Sequence, residues 1–229
     1  MPVIRKQAIL KILFPLLVLF LGVFETLLYA QSYAHVGIGG NYYDGELSGG
    51  LEEPQANITA GYTYRLDQHF FIHAEINVGR ITGEYQPGDN FRGIRLNPEI
   101  NKYFVSNTES IQAGIQWEWF RWYPFHSYVG VGVGFLSYEI ADSQGRNILD
   151  IPSTRLPNET YDTRAMYVPL QVGVVLFHRK RVNIVLEQSW NITTTDYLDN
   201  IGYLGNNGSD TIIRRMLKVR YQFSDEGLF

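Results

Sequence analysis

Residues 128–140 read YVGVGVGFLSYEI and place a glycine at every second position, at Gly130, Gly132 and Gly134. A dinucleotide-binding loop needs the spacing G-x-G-x-x-G between a strand and a helix. Here the third glycine comes one residue too early, and the residues that follow favour a β-strand. A period of two is the period of a strand, in which the valines occupy one face and the glycines the other. We therefore predict a strand with one bare face and no nucleotide site.

Extended, alternating segments of this kind recur along the chain. They span residues 33–43, 55–66, 70–84, 109–122, 126–140, 164–177, 182–196 and 211–223. Most are longer than strands in soluble sheets, which usually have about five or six residues. A tilted strand needs about 9–11 residues to cross a bilayer. Pro169 lies inside the sixth segment and cannot donate to a β-ladder, so we expect a bulge there.

The connections between these segments alternate strictly between short and long. The short ones are the turns at 67–69, 123–125 and 178–181, and the long ones span 44–54, 85–108, 141–163 and 197–210. In antiparallel up-and-down order, every long loop then lies at one end and every short turn at the other. Outer-membrane barrels have this form, with short periplasmic turns and longer external loops. The sequence therefore predicts an all-β fold, an eight-stranded antiparallel up-and-down transmembrane β-barrel.

The two faces of the predicted strands differ in polarity. In the seventh segment Ile184, Leu186 and Trp190 share one face, whereas Asn183 and Ser189 lie on the other. A soluble eight-stranded barrel of the lipocalin type is the competing fold, and it would have charged residues along its outer face. The polar face here holds mainly Gln, Asn, Ser, Thr and Gly with few charges, which is typical of the lumen of a membrane barrel.

Charged residues with outward parity lie near the ends of the strands. Arg80 and Arg215 lie towards the long loops, and Arg121 lies next to a short turn. An arginine on the lipid face costs about 2–4 kcal/mol at the bilayer midplane and little near the interfaces. These positions therefore agree with strands that cross a membrane.

The N-terminal residues predict an export signal. Basic residues precede an apolar run at 12–24, and a small residue, Ala30, follows. This order is typical of a secretory signal peptide. We expect a signal peptide at 1–30 that is cleaved off, which leaves residues 31–229 as the barrel. The alternative is an uncleaved anchor, for which this run is shorter than the usual ~20 apolar residues.

The composition limits the possible partners. The net charge of −4 argues against nucleic acid as a partner. The chain contains no cysteine, so it has no disulfide bond, no lipoprotein anchor and no cysteine-based metal site. Only 18% of the residues are charged, against a usual ~25%. We therefore expect outer-membrane lipid and lipopolysaccharide to surround the protein.

Ionisable side chains on the predicted inward face form a first candidate site. They are Arg65, His73, Glu75, Glu118, Glu187, Lys218 and Arg220. Opposite charges are nearly balanced among them, and buried charges need partners. We interpret them as a paired network that fills a narrow lumen. The alternative is a catalytic or conducting lumen.

The sequence gives little support for catalysis or for a cofactor. His126 and Ser127 are adjacent in a strand, so they point to opposite faces and cannot form a nucleophile–base pair with each other. The five histidines are scattered, and no two share a strand face at the spacing of metal ligands. We expect a non-enzymatic protein without a catalytic, cofactor-binding or metal site.

The densest basic cluster lies in the last short turn. It consists of His178, Arg179, Lys180 and Arg181. Its charge suits an acidic periplasmic partner or anionic phospholipid head groups. A solvated turn without a partner is the alternative.

Four stretches of the chain resemble a known family. One is formed by Asp196, Tyr197, Leu198 and Asp199, which precede a loop and the last strand. The others are GIGGNYYDGELS at 37–48, HSYVGVGVGF at 126–135 and YVPLQVGV at 167–174. Together they resemble the PorG-like family of Bacteroidota, the small outer-membrane barrel component of the type IX secretion machinery. The resemblance implies a non-enzymatic subunit whose partner is a periplasmic ring lipoprotein of the secretion apparatus.

The sequence leaves three functions open. The first is a structural barrel subunit of type IX protein secretion. The second is a stand-alone barrel that stabilises the envelope or presents adhesive loops. The third is a lipid-modifying barrel enzyme, in which His126 would be the residue to test.

Overall fold

The computed structural model describes residues 32–45, 47, 54–84, 103–122, 125–142, 144–147, 162–179, 181–199, 201 and 209–223. The described chain forms the strands β1 (Ser32–Asp44), β2 (Gln55–Arg65), β3 (Phe70–Glu84), β4 (Tyr103–Trp122), β5 (Phe125–Ala141), β6 (Arg164–Arg179), β7 (Val182–Thr193) and β8 (Thr211–Gln222). Each strand pairs antiparallel with the next, and β8 pairs with β1, so the sheet closes into a barrel. The predicted fold is confirmed. The signal peptide predicted at 1–30 lies outside the described residues.

Strand β1 closes the barrel because it pairs on both sides. Val36 lies opposite Ala60 of β2 and opposite Val219 of β8. A closed sheet has no unpaired edge, so the backbone of the strands can satisfy its hydrogen bonds within the barrel. Lipid offers no alternative partner for these groups, and closure is therefore the condition for a β-structure to span a membrane.

The fourth strand is longer than the sequence predicts, because it begins at Tyr103 and not at residue 109. The extra residues pair with β3 one by one, up to Tyr103 opposite Glu84. Its polar residues at 106–108 stay extended because β3 bonds to them on one side and β5 on the other. The other strand ends agree with the predicted bounds to within three residues.

The bulge predicted at Pro169 is wrong. Val131 pairs with Leu170 and Gly134 pairs with Tyr167, so the register between β5 and β6 is unchanged across the proline. The ladder omits the intervening pairs, because proline has no N–H to donate. On its other side Pro169 stays in register with Asn191 of β7. Register shifts occur elsewhere, between Glu118 and Phe120 in β4 and between Val175 and Phe177 in β6.

The barrel is apolar outside and polar inside. Large apolar side chains are exposed on every strand: Ile38 is 65% exposed and Leu186 is 47% exposed. Polar and charged side chains of opposite parity are buried, and Glu75 is only 3% exposed. A soluble barrel has the reverse arrangement, so this outer face requires lipid. None of the described residues belongs to a helix that is long and apolar enough to cross a membrane.

Candidate functional site

The lumen contains a buried ionic cluster with Lys218 of β8 at its centre. Its Nζ donates to Glu187 Oε1 of the neighbouring strand β7 at 2.7 Å. The same Nζ also donates to Glu75 Oε2, which lies on β3. Each of these three side chains is 2% exposed. One cation thus bridges two carboxylates that come from strands far apart in the barrel.

Neutral and aromatic side chains complete the hydrogen bonds of the two carboxylates. His35 Nε2 donates to Glu75 Oε2 at 2.9 Å, and Gln112 Nε2 donates to Glu75 Oε1 at 3.3 Å. Tyr128 OH donates to Glu187 Oε2 at 2.5 Å. Buried carboxylates are tolerated only when paired and hydrogen-bonded, and both acids meet this condition.

Glycines allow these side chains to reach across an intervening strand. Gly61 of β2 lies directly between His35 and Glu75, with which it pairs on either side. Gly173 of β6 lies in the same way between Tyr128 and Glu187. A side chain at either glycine would collide with the ring that crosses it. The glycines are therefore required by packing, and they determine which lumen residues can meet.

The glycine stripe of β5 has the same role. Gly134 separates Gln112 from Tyr167, whose OH donates to Gln112 Oε1 at 2.9 Å. Gly130 separates Gln116 from Gln171, which are joined by a hydrogen bond of 3.4 Å. Gly130 and Gly134 therefore provide space for long polar side chains from β4 and β6 inside the lumen.

A second charge pair lies beside the cluster. Arg220 Nη1 of β8 is 3.9 Å from Glu118 Oε1 of β4. The guanidinium carbon also lies 5.0 Å from the ring centroid of Tyr128 and 5.7 Å from that of Tyr33. Such cation–π contacts stabilise a guanidinium that is removed from water. Tyr128 thus contacts both the second pair and the central cluster.

The structure brings together most, but not all, of the predicted lumen residues. Glu75, Glu187 and Lys218 form the centre, and Glu118 with Arg220 forms the second pair. His73 is buried in the lumen, but neither ring nitrogen is hydrogen-bonded to a described residue. Arg65 is separate from the cluster: its Nε donates to the Asp67 carbonyl at 2.7 Å.

The predicted lumen network omits three side chains that are buried beside its members: His35, Tyr128 and Arg214. Strand parity could have found all of them, since each has the parity of an inward glycine or charge on its own strand. Within the described strands, three buried carboxylates then face three buried cations: Glu75, Glu118, Glu187, Arg214, Lys218 and Arg220. This balance is what a packed lumen requires. Lys218 and Arg220 lie against carboxylates, whereas Arg214 Nε donates to Asn41 Oδ1 at 3.3 Å.

The family-like segment after β7 covers the long-loop end of the lumen. Leu198 and Asp199 are fully buried, whereas Asp196 and Tyr197 are half-buried. The Asp199 carboxylate accepts from Leu47 N of the first long loop at 3.2 Å and from Ile201 N at 2.8 Å. The segment is therefore bound to another loop by a buried carboxylate.

A second carboxylate, that of Asp210, holds the same segment to the barrel wall. It accepts from Leu198 N at 2.8 Å and from Tyr43 OH of β1 at 2.6 Å. The apolar residues of this segment and of the neighbouring strand ends form one buried cluster: Tyr43, Leu47, Ile81, Phe104, Leu136, Tyr138, Ile140, Ala165, Tyr167, Leu198, Ile201 and Ile212. We call these twelve residues the apolar cap. The cap lies at the end of the barrel that carries the long loops, and each of its residues is at most 7% exposed.

The short turns lie at the opposite end. In the turn between β2 and β3, the Asp67 carboxylate accepts from His69 N at 2.7 Å and from Phe70 N at 2.8 Å, which holds the pKa of Asp67 below its usual range. In the basic turn, His178 and Arg179 end β6, and Lys180 lies outside the described residues. Arg181 is exposed, and its carbonyl accepts from Gln222 N at 2.8 Å.

The described residues offer no obvious catalytic or metal site. His126 and Ser127 lie at the start of β5, opposite Val175 and Val174 of β6. Val175 is buried and Val174 is only half-buried, so the two residues of β5 face opposite sides of the sheet. No group of three or more His, Asp or Glu residues in the described part of the chain could hold a metal ion.

Comparison with solved structures establishes the fold. Neisserial surface protein A superposes with a TM-score of 0.52 at 11% identity, over 83% of this chain and 96% of that chain. The chain has the fold of the small outer-membrane β-barrels. Ail, the attachment invasion locus protein of Yersinia pestis, gives 0.48 at 12% identity in its complex with the heparin analogue sucrose octasulfate, over 85% and 99% of the two chains. The outer-membrane protein AlkL gives 0.45 at 14% identity, over 88% and 93%.

Sequence comparison is less informative. No protein-family model matches the chain, and no curated protein matches it. The resemblance to the PorG-like family therefore stays a prediction.

Proposed function

We propose that this protein is a structural, non-conducting barrel of the outer membrane and that it serves as a subunit of a type IX protein secretion apparatus. The observation that carries the first part is the filled lumen. Lys218 joins Glu75 and Glu187 across the interior, and the apolar cap covers the long-loop end. Eight strands enclose a space that is only just wide enough for side chains, so these side chains leave no open channel.

The location follows from the outer face and the topology. Exposed apolar side chains on every strand require lipid, and the long loops lie at one end of the barrel. Bacterial outer-membrane barrels have their long loops outside and their short turns in the periplasm. The basic turn His178–Arg181 is therefore on the periplasmic side in this proposal.

The proposed secretion role rests on the sequence resemblance to the PorG-like family. Leu198 and Asp199 belong to the stretch that resembles the PorG-like family, and both are buried at the long-loop end of the lumen. Residues with this structural role stabilise the barrel and do not contact a partner directly. Contact with a periplasmic ring lipoprotein is then left to the other rim, where the cationic turn can attract an acidic surface.

The test is a pull-down in mild detergent from cross-linked envelopes of the native host. An affinity tag inserted within residues 148–161 keeps the short turns accessible, and mass spectrometry identifies the proteins that co-purify. We expect periplasmic ring lipoproteins with the wild type and much less with Arg179→Gln/Lys180→Gln/Arg181→Gln. Arg146→Gln, an exposed arginine in a long loop, is the matched control. A folded barrel that is recovered without ring proteins would contradict the secretion role.

A stand-alone barrel is the second candidate, and the likeness to Neisserial surface protein A favours it. That protein is named for the cell surface. In this case the long loops would carry the function. The test replaces residues 148–161 with a short linker and measures the adhesion of cells to a surface. Loss of adhesion while the barrel stays folded would support this candidate.

A further inference from the structure

A row of outward-facing residues crosses four neighbouring strands on the long-loop half of the barrel. Arg215 of β8 lies opposite Gly40 of β1, and Gly40 lies opposite Ala56 of β2. The ladder between β2 and β3 ends one residue earlier, at Asn57 opposite Gly79, and the same register places Arg80 beside Ala56. Both arginines are exposed. Two cations therefore flank two of the smallest side chains, and three strand spacings of ~4.8 Å place their Cα atoms about 14 Å apart along the surface.

Neighbouring amides and an aromatic ring orient both arginines. Arg215 Nε donates to Gln188 Oε1 at 3.1 Å, and its guanidinium carbon lies 4.8 Å from the ring centroid of Tyr42. Arg80 Nε donates to Asn107 Oδ1 at 2.9 Å. Each of these bonds uses one of the five N–H donors of a guanidinium. Each arginine is thus held in place by a hydrogen bond to a neutral amide, which does not neutralise its positive charge.

The next outward row, towards the membrane centre, is apolar. Leu217, Ile38, Ile58 and Val78 lie side by side on the same four strands. Ile38 and Ile58 are 65% and 64% exposed, the highest values among the large apolar side chains that the structure describes. The surface therefore changes over one row from cationic to strongly apolar. A lipid with an anionic head group complements this surface, because its head group would face the cationic row and its acyl chains the apolar row.

We propose that Arg80 and Arg215 bind phosphate groups of lipopolysaccharide in the outer leaflet. Arginine matches phosphate with paired N–H donors and keeps its charge when partly desolvated. Pro54 lies over Gly40, where a Cβ would be 2.8 Å from Pro54 Cβ, so a sugar head group fits between the two arginines beside Ala56. The apolar row contacts the acyl chains. Beyond Arg80 the row continues to Asn107 and then to Glu139, so the cationic stretch ends at β4.

The proposal rests on the outer-membrane location and on long loops that face outwards, but not on a role in secretion. The test uses the purified barrel in detergent and titrates it with lipopolysaccharide and with the same lipopolysaccharide after enzymatic dephosphorylation, with native mass spectrometry as the readout. For Arg80→Gln/Arg215→Gln we expect lipopolysaccharide binding to weaken about tenfold or more, since two charged hydrogen-bonding groups are lost. Dephosphorylation should weaken binding to the wild type by a similar factor and have little further effect on the double variant.

Arg164→Gln is the matched control. Arg164 is also an exposed arginine at the long-loop end of a strand, but it lies on β6 and shares its outward row with Ser137 and Glu109. Its replacement should change binding less than twofold. Equal losses for the control and the double variant, or equal binding of both lipid forms by the wild type, would overturn the proposal. A heat-dependent shift in gel migration shows for each variant that the barrel is closed, so a binding loss is separated from a folding defect.

Discussion

Lys218 is the residue on which the lumen cluster depends, because its ammonium group contacts both Glu75 and Glu187. Replacing it with methionine keeps most of the volume and removes the charge. Two buried carboxylates then remain without their cation, which typically costs about 3–5 kcal/mol. We expect Lys218→Met to lower the free energy of unfolding by roughly this amount, measured by urea titration of the barrel in lipid vesicles.

The triple variant Glu75→Gln/Lys218→Met/Glu187→Gln is the control for this prediction. It removes all three charges and keeps the shapes, so most of the lost stability should return. An unchanged urea midpoint for the single variant would contradict the ionic cluster. A triple variant that is less stable than the single one would show that the loss in Lys218→Met does not come from unpaired carboxylates.

Gly173 tests whether the lumen side chains that cross a neighbouring strand need a glycine beneath them. A methyl group at this position would overlap with the ring of Tyr128, which crosses Gly173 to reach Glu187. Overpacking of this kind costs about 1–3 kcal/mol, so Gly173→Ala should destabilise the barrel by that amount in the same urea assay.

The control for Gly173→Ala is the same change in a Tyr128→Ser background. There the ring is absent, and the added methyl group should cost little. Equal losses in both backgrounds would place the effect in the backbone of β6 and not in the crossing ring.

Strand parity predicts which residues enter the lumen, but it does not predict which of them meet. Glu75, Glu187 and Lys218 have the correct parity in the sequence, and so does Arg65, which lies apart from the cluster. A contact between two strands depends on their register and on the residue between them, as with Gly61 between His35 and Glu75. Register is set by the whole ladder, so the individual pairs could not be read from one strand at a time.

At the scale of elements, the sequence predicts all eight strands, because a lipid-facing strand must keep its alternation over its full length. The errors occur where a neighbour overrides the local signal. Strand β4 extends back to Tyr103 because β3 continues to Glu84. Pro169 stays in register because its neighbours are bonded on both sides of it. Neither fact is a property of the segment itself.

Strand β7 provides a direct test of the facing assignment. Leu186 lies in the middle of the strand and is 47% exposed to the outside. An arginine there should cost about 2–4 kcal/mol, and much less near an interface. We therefore expect Leu186→Arg to reduce the fraction of barrel that folds into phosphatidylcholine vesicles, measured by the heat-dependent gel shift.

Ile192→Arg is the matched control, since it lies on the same face of β7 next to the long-loop end. It should fold nearly as well as the wild type. Equal defects for both variants would mean that depth in the membrane does not determine the cost, and that the outer face is not embedded as described.

Two buried aspartates hold the segment after β7 over the long-loop end of the barrel. Asp199 binds Leu47 N, and Asp210 binds Tyr43 OH and Leu198 N. We expect Asp199→Ala/Asp210→Ala to release the segment after β7, since these backbone and hydroxyl donors lose their acceptors. Limited proteolysis should then cut within residues 194–210 at least about tenfold faster while the strands stay protected.

Asp142→Ala is the control for the release of the segment, because Asp142 also binds its own loop, through Arg146 Nε at 2.7 Å, but is far from this segment in the chain. It should leave cleavage within 194–210 unchanged. Cleavage at the wild-type rate in the double variant would show that apolar contacts alone hold the segment after β7 in place.

For the whole molecule, the closed barrel, the apolar outer face and the filled lumen belong to one arrangement. Lipid requires a sheet without edges, and eight strands leave an interior that side chains can fill. The polar side chains that lipid excludes from the outer face therefore pack against one another inside. The sequence predicts this arrangement because the alternation of polarity and the alternation of loop lengths indicate the same barrel.

The measurement that tests this account most directly is the conductance of the purified, refolded protein in a planar lipid bilayer, with a wide porin as the positive control. The Lys218 cluster and the apolar cap predict no stepwise current under conditions in which the porin conducts. Reproducible, voltage-stable current steps from the wild-type barrel would contradict the filled lumen, and with it the proposal of a structural, non-conducting barrel.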